Sequence, residues 1–243
     1  MKEDDEIRHL PYDLATVDRR AAYYESYWKK VALGLLEKHY AVEGKTILDY
    51  GCGRGEAIEL FKNHGLEAAG ADMDPECVRI ASEHGDVSVL DGSPPDEIFG
   101  ENSFDVVACF HVLEHVPEPM RTLQGLGKIA RDYVILAVPN LQKTDRIHKR
   151  EIKRGIVNNG HLQGWDHWHF LNLAEQHCDL ELVEWGYDAT VLPVISHWIY
   201  RIFGLRAVLW METKFFRWLM PNQGISIIGI FKPKNKTTVT TQS

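Results

Sequence analysis

The 243-residue chain is 44% hydrophobic, 26% charged and 10% aromatic, a composition that supplies a buried core and excludes a disordered or fibrous protein. Its formal charge of −8 excludes a broadly basic nucleic-acid binder, whose phosphate contacts need a cationic footprint. No run of about 18 uncharged apolar residues is present, so no membrane-spanning helix is expected.

The first fourteen residues are polar, carry no apolar signal region and are expected to be loose. A helix is expected over about Thr16–Tyr40, carrying Tyr23, Tyr24, Tyr27 and Trp28 close together. Strands and helices then alternate. Thr46–Tyr50 is a short apolar run ending in glycines, and Arg54–Asn63 reads as a helix. Glu67–Asp72 is the next strand, and Pro75–His84 the next helix, with Gly85 placed to stop it. Val87–Leu90, Phe104–Phe110 and Tyr133–Val138 are further strand-like runs rich in Val and Ile. Strands of four to seven residues separated by helices of about ten predict β-α-β units, a parallel sheet and right-handed crossovers.

After Asn140 the pattern changes. A polar stretch rich in His and Trp runs to His169, with Asp166 as candidate N-cap of a short helix. A strand over Leu180–Tyr187, an aromatic helical region over Pro193–Met220 and a closing strand over Ile225–Phe231 follow. The tail from Lys232 to Ser243 has the composition of a disordered end. Cys52, Cys77, Cys109 and Cys178 are scattered without zinc-ligand spacing, which predicts reduced thiols and a cytoplasmic setting.

The chemistry starts at Asp49-Tyr50-Gly51-Cys52-Gly53-Arg54-Gly55, a buried strand running through three alternate glycines into a helix. Such a loop turns tightly, lets a ligand approach the main chain and presents free N–H groups at the helix start. A dinucleotide loop reads G-x-G-x-x-G, but its last position is occupied here by Glu56. A carboxylate beside a phosphate path would repel it by about 1 kcal/mol even when solvated. Asp49 and Glu56 therefore favour a cationic ligand, S-adenosylmethionine, over NAD. Asp72 stands where an acid at the end of the second strand can accept both ribose hydroxyls. Asp74 instead reads as an N-cap before Pro75, and Met73 as an unbranched, polarizable side chain against an adenine. Asp91 and Gly92 read either as an adenine-binding pair or as turn chemistry.

These residues resemble the class I S-adenosylmethionine-dependent methyltransferases. The resemblance is carried by Leu48–Gly55, Gly70–Pro75, Ser103–Val107, His111–Val116 and Val138–Asn140, in that order. The chain is most similar to the branch holding the quinone-pathway O-methyltransferases and many glycan- or natural-product-tailoring enzymes. A narrower similarity, through Ile129–Asn140 and Gly160-His161-Leu162, is to the MetW-type proteins of methionine biosynthesis. The resemblance implies an α/β, doubly wound, seven-stranded, mostly parallel sheet whose last strand runs antiparallel. It places Asp49, Gly51, Cys52, Gly53 and Gly55 around the methionine moiety, Asp72 at the ribose, Asp91 at the adenine, and Phe110 and His111 beside the sulfonium. On this reading 1–44 is a helical lid, 45–232 the methyltransferase domain with a helical insertion at 191–222, and 233–243 a tail.

Methyl transfer to a hydroxyl protonated at working pH needs a general base, for which His111 and His161 are the candidates. Trp165 and Trp168 are candidate walls for the acceptor, a small hydroxylated metabolite or a glycan- or lipid-linked intermediate. His161, His167 and His169 match no strong metal signature, so no metal is expected. The segment 191–220 carries Trp198, Trp210 and Trp218 within a stretch, Val191 to Lys236, of seven basic residues and one acid, Glu212. On a single helix its charges fall on two sides, a poor amphipathic stripe. Three readings stay open for it: a substrate cap, a homodimer surface, or a peripheral membrane contact on anionic lipid. A MetW-like binding partner and, more remotely, a nicotinamide dehydrogenase are the alternative functions.

Overall fold

A computed structural model describes residues 14–141 and 160–234. The expected loose start (1–13) and most of the expected tail (235–243) lie outside the described residues. Among the described residues one sheet of seven strands organises the fold: β1 (Thr46–Tyr50), β2 (Glu67–Asp72), β3 (Val87–Val89), β4 (Phe104–Phe110), β5 (Ala130–Pro139), β6 (Leu180–Tyr187) and β7 (Ser226–Pro233). Their spatial order is β3-β2-β1-β4-β5-β7-β6. The first five pair in parallel, and β7 runs antiparallel to both neighbours, β5 and β6. The order reverses at β1, whose neighbours are β2 on one side and β4 on the other. This switch point is where open α/β sheets bind ligands, beyond the carboxyl ends of the strands.

Alternation along each strand feeds two cores, one per face. Leu48, Val107, Leu136 and Phe231 point into one, covered by α5 (Pro119–Ile129) and α6 (His167–Asn172). Ile47, Val106, Ile135 and Ile230 point into the other, covered by α1 (Leu14–Glu37) and α2 (Glu56–Asn63). Ala32, Leu33 and Leu36 bury the inner stripe of α1 there. Asp49 follows Ile47 by two residues and so shares that face, a carboxylate among hydrocarbon.

Several expected boundaries shift for identifiable reasons. The first helix stops at Glu37, and Tyr40 leaves it to lie on Tyr133, with ring centroids 4.8 Å apart. The second helix begins at Glu56 rather than Arg54, because Gly53 and Gly55 hold left-handed backbone. α3 (Pro75–Ala81) is shorter than Pro75–His84; Asp74 caps it as expected, accepting from Glu76 N at 2.9 Å. The strand expected over Tyr133–Val138 spans Ala130–Pro139. Lys232 and Pro233, assigned to the tail, belong to β7, where Lys232 pairs with Glu181 and lies 5.0 Å from the Tyr133 ring centroid.

Two helices were not expected, α4 (Pro95–Phe99) and α5. Gly125 and Gly127 weaken the helical signal of α5, yet both serve close packing. A Cβ at Gly125 would stand 2.6 Å from Pro95 Cδ, and one at Gly127 would stand 3.3 Å from Leu180 Cδ2.

Candidate functional site

Where β1 ends, the chain turns through Gly51, Gly53 and Gly55 at φ of +80°, +54° and +88°. Gly51 N and Cys52 N donate to Ala71 O at 2.7 and 3.0 Å, tying the loop to the end of β2. The three glycines answer different demands. A Cβ on Gly51 would meet Val112 Cγ2 at 2.1 Å, and one on Gly55 would meet Ala81 at 3.1 Å, so both allow close packing. Beside Gly53 a Cβ would meet nothing within 4 Å; there the open space lies toward the cleft. Gly51→Ala is therefore expected to lower stability by about 1–3 kcal/mol through overpacking and left-handed strain, read as a fall in Tm.

The cleft, of about 300 Å³, is lined by Asp49, Gly51, Cys52, Gly53, Glu56, Phe110 and His111, and closed by Trp28 and Lys29 from α1. The Trp28 ring stands edge-on to Phe110 and His111, each 5.0 Å away between centroids. Lys29 Nζ lies 3.3 Å from Glu56 Oε2, its side chain only 12% exposed.

Asp49 is 2% exposed, and its Oδ1 has no hydrogen-bond partner among the described residues. Burial pushes its carboxyl up to about 7; the Lys29 ammonium lowers it, and Glu56 and Asp72 raise it further. A buried carboxylate oxygen lining a cleft without a donor is a site shaped for a cation or an N–H group. Cys52 contributes packing: burial pushes its thiol up to about 12, which keeps it protonated.

Asp72, at the end of β2, accepts from Gly53 N (2.8 Å) through Oδ2 and from Asp74 N (2.9 Å) through Oδ1. One carboxylate thus holds the glycine loop, and its four lone-pair directions leave room for two further hydroxyls. Parallel pairing sets Val89 beside Asp72, which brings Asp91, just past β3, to the same end of the sheet. Asp91 is exposed, accepts from Ser93 N at 2.9 Å, and that bond holds its carboxyl below the usual range. Gly92 has φ +89° with open space at its Cβ position, and Met73 is 61% exposed on the same rim.

His111 leaves β4 in left-handed conformation, φ 54°, which turns its ring across the sheet end. Its Nδ1 lies 3.2 Å from Glu114 Oε1 and its Nε2 lies 3.1 Å from Ser226 Oγ. Ser226 N in turn donates to Asp188 Oδ1 at 2.9 Å, and burial pushes the Asp188 carboxyl up. Glu114 is fully buried, with Oε2 unpartnered among the described residues. Its importance was missed in the sequence, where it reads only as the acid between two histidines. Glu114, His115 and His161 bring ligand-capable atoms within 4.8 Å of one another, and His115 and His161 meet ring edge to face at 4.7 Å. Glu114 therefore contacts one candidate base, His111, and lies near the other, His161.

The two candidate wall tryptophans lie away from the cleft. Trp165 is 8% exposed and packs in the core on Phe170, because its backbone bridges to Asn140 at the end of β5. Trp168 is 72% exposed but lines a separate depression with Leu171, Asn172 and Gln176. Neither lines the cleft. His161, His167 and His169 are likewise not gathered: His167 is buried against Trp185 at 3.9 Å, and His169 pairs with Asp166 at 2.5 Å. Conversely, Trp28 and Lys29 close the cleft although no motif marks them. Only the spacing of α1, with its apolar stripe turned to the sheet, brings them there.

Comparison with known proteins adds a family to this geometry. Residues 20–182 match the family described as "Methyltransferase domain". The ubiquinone biosynthesis O-methyltransferase of Nitrosospira multiformis is 30% identical over 105 residues, 41% of this chain and 44% of that protein. That of Hahella chejuensis is 34% identical over 105 residues, again 41% and 44%. The matched part thus spans less than half the length of these curated relatives. Among solved structures, magnesium protoporphyrin IX methyltransferase from Synechocystis with bound SAH superposes with a TM-score of 0.61 at 14% identity, over 90% of this chain and 87% of that one. The [4+2]-cyclase SpnF superposes at 0.54 and 16% identity, over 84% and 80%, so the fold alone does not name a reaction. Since the family match covers well over half of the sequence, the chain belongs to the class I methyltransferases, the family whose methyl donor is S-adenosylmethionine.

Proposed function

We propose that the chain catalyses O-methylation of a small hydroxylated metabolite or a glycan- or lipid-linked intermediate. The observation that carries the cofactor half of this reading is Asp49, a buried carboxylate in the cleft with an oxygen awaiting a donor. When bound, S-adenosylmethionine supplies an electrophilic methyl on a positively charged sulfur. Asp49 would hold its ammonium group, and Lys29, which lines the same cleft and pairs with Glu56, would hold its carboxylate. Asp72, which already accepts from Gly53 N, would accept from the ribose hydroxyls, and Asp91, Gly92 and Met73 would form the adenine rim. The Gly51–Gly55 loop allows the main chain to be approached, and Glu56 repels a competing diphosphate.

The acceptor half rests on His111. Glu114 Oε1 holds Nδ1 as the protonated nitrogen, which leaves Nε2 to accept a proton from an acceptor hydroxyl, directly or through Ser226 Oγ. Trp28 and Phe110 exclude water from that side, and a dry site favours a reaction in which opposite charges cancel. The names of the curated relatives support oxygen as the methylated atom. Asp72→Ala tests the cofactor placement. It is expected to weaken S-adenosylhomocysteine binding by about 1–3 kcal/mol through lost charge-assisted hydrogen bonds. An unchanged dissociation constant in calorimetry would remove the ribose from Asp72.

A further inference from the structure

The helical insertion between β6 and β7 is α7 (Pro193–Trp210), a π-helical turn (Met211–Phe215) and α8 (Phe216–Leu219). It is not one helix. Gly204 takes φ 78°, ψ −177° inside α7 and breaks it into two segments, each with its own face. This is why a projection onto a single helix scatters the charges.

Once the segments are separated, a pattern emerges. Past the break, Arg206, Trp210, Lys214 and Trp218 recur every four residues and all are exposed, Trp210 by 58% and Trp218 by 75%. Side chains four apart lie on one helix face, so cation and indole alternate along a single ridge. Before the break, Trp198 and Ile202 are 58% and 66% exposed, and Phe203 at the break is 69% exposed. Single exposed apolar residues are ordinary, but so many large ones in one insertion mark an interaction surface.

The charge says what covers it. The only acid from Pro193 to Leu219 is Glu212, which is fully buried and hydrogen-bonded to Ser196 (2.6 Å) and Tyr24. The exposed charge of the insertion is therefore wholly cationic, on a chain whose net charge is −8. Screening within about 10 Å makes the local sign decisive. A second copy would set this cationic ridge against itself in a two-fold dimer. None of these side chains lines the cleft.

We propose that the 193–219 insertion docks on an anionic membrane surface, with its tryptophans in the headgroup region and Arg206 and Lys214 against acidic lipid. No described helix is long and apolar enough to cross a membrane, so the contact is interfacial. The inference is independent of the reaction proposed above. Through Glu212–Tyr24 and Arg217–Tyr27 (3.1 Å) the surface is bonded to α1, the helix that closes the cleft, which would present an amphiphilic acceptor to the site from the membrane side.

Co-sedimentation of the full chain with vesicles of equal parts phosphatidylglycerol and phosphatidylcholine tests this. Binding is expected at low salt, with at least about tenfold loss on raising salt to about 0.5 M and at least about tenfold weaker binding to phosphatidylcholine alone. R206E/K214E and W210S/W218S are surface changes expected to keep the wild-type Tm and S-adenosylhomocysteine affinity while losing vesicle binding at least about tenfold. Absence of wild-type binding to the anionic vesicles at low salt overturns the proposal. Variants that keep that Tm and still bind like wild type also overturn it. A dimer in sedimentation, lost in W210S/W218S and unaccompanied by vesicle binding, would assign the surface to a second copy instead.

Discussion

Replacing Asp49 by asparagine is expected to stabilise the ligand-free protein at pH 8 by up to about 4 kcal/mol, and to weaken its cofactor binding at the same time. Burial raises this carboxyl from 3.8 in the unfolded chain to about 7 in the folded one. Between those values the folded state holds a proton that the unfolded state has released. Wild-type stability attributable to Asp49 is thus fully present below about pH 4, declines up to about pH 7 and stays low above. Asparagine has the same shape and no titration, so the difference between variant and wild type grows across that window. Urea denaturation of both proteins from pH 4 to pH 8 reads it. A gap independent of pH would show that Asp49 is not a strained buried acid. The same burial predicts that a ligand ammonium draws the proton off Asp49. S-adenosylhomocysteine should accordingly bind more tightly as pH rises toward about 7, with proton release in calorimetry. Stability held back at a binding site is a recurrent cost of function.

His111→Asn is expected to lower turnover by about 10²–10⁴-fold while leaving S-adenosylhomocysteine affinity within a few-fold of wild type. Asparagine tolerates the φ of 54° at this position and cannot take up a proton, so the variant separates chemistry from folding. The measurement needs an acceptor, found by screening metabolite extracts with radiolabelled methyl donor. Full turnover in His111→Asn would move the proton-accepting role, with His161, near Glu114, as the next residue to replace.

The parallel half of the fold was legible because its strands are short runs, mostly apolar, separated by helical segments. Thr46–Tyr50, Glu67–Asp72 and Phe104–Phe110 have the boundaries read from sequence, as does Leu180–Tyr187. The glycine loop was legible because its residues are consecutive in the chain, and Asp72 because it ends a strand whose bounds the sequence shows. What stayed hidden depends on distant segments meeting. Nothing local in Gly125 says that Pro95 approaches it, and nothing in Trp165 distinguishes a core indole from a substrate wall until Asn140 bridges to it. Lys29 and Glu114 enter the site only because α1 packs across β5, β6 and β7 with Lys29 at the cleft and because Glu114 is buried beside His111. The surface of the insertion required Gly204 to be seen breaking the helix.

Calorimetric titration with S-adenosylhomocysteine and, separately, NADH goes straight to the reading of the cleft as the methyl donor's site rather than a dinucleotide's. Saturable binding of S-adenosylhomocysteine, weakened by Asp72→Ala, with no heat from NADH, is the predicted result. Tight binding of NADH with none of S-adenosylhomocysteine would contradict it.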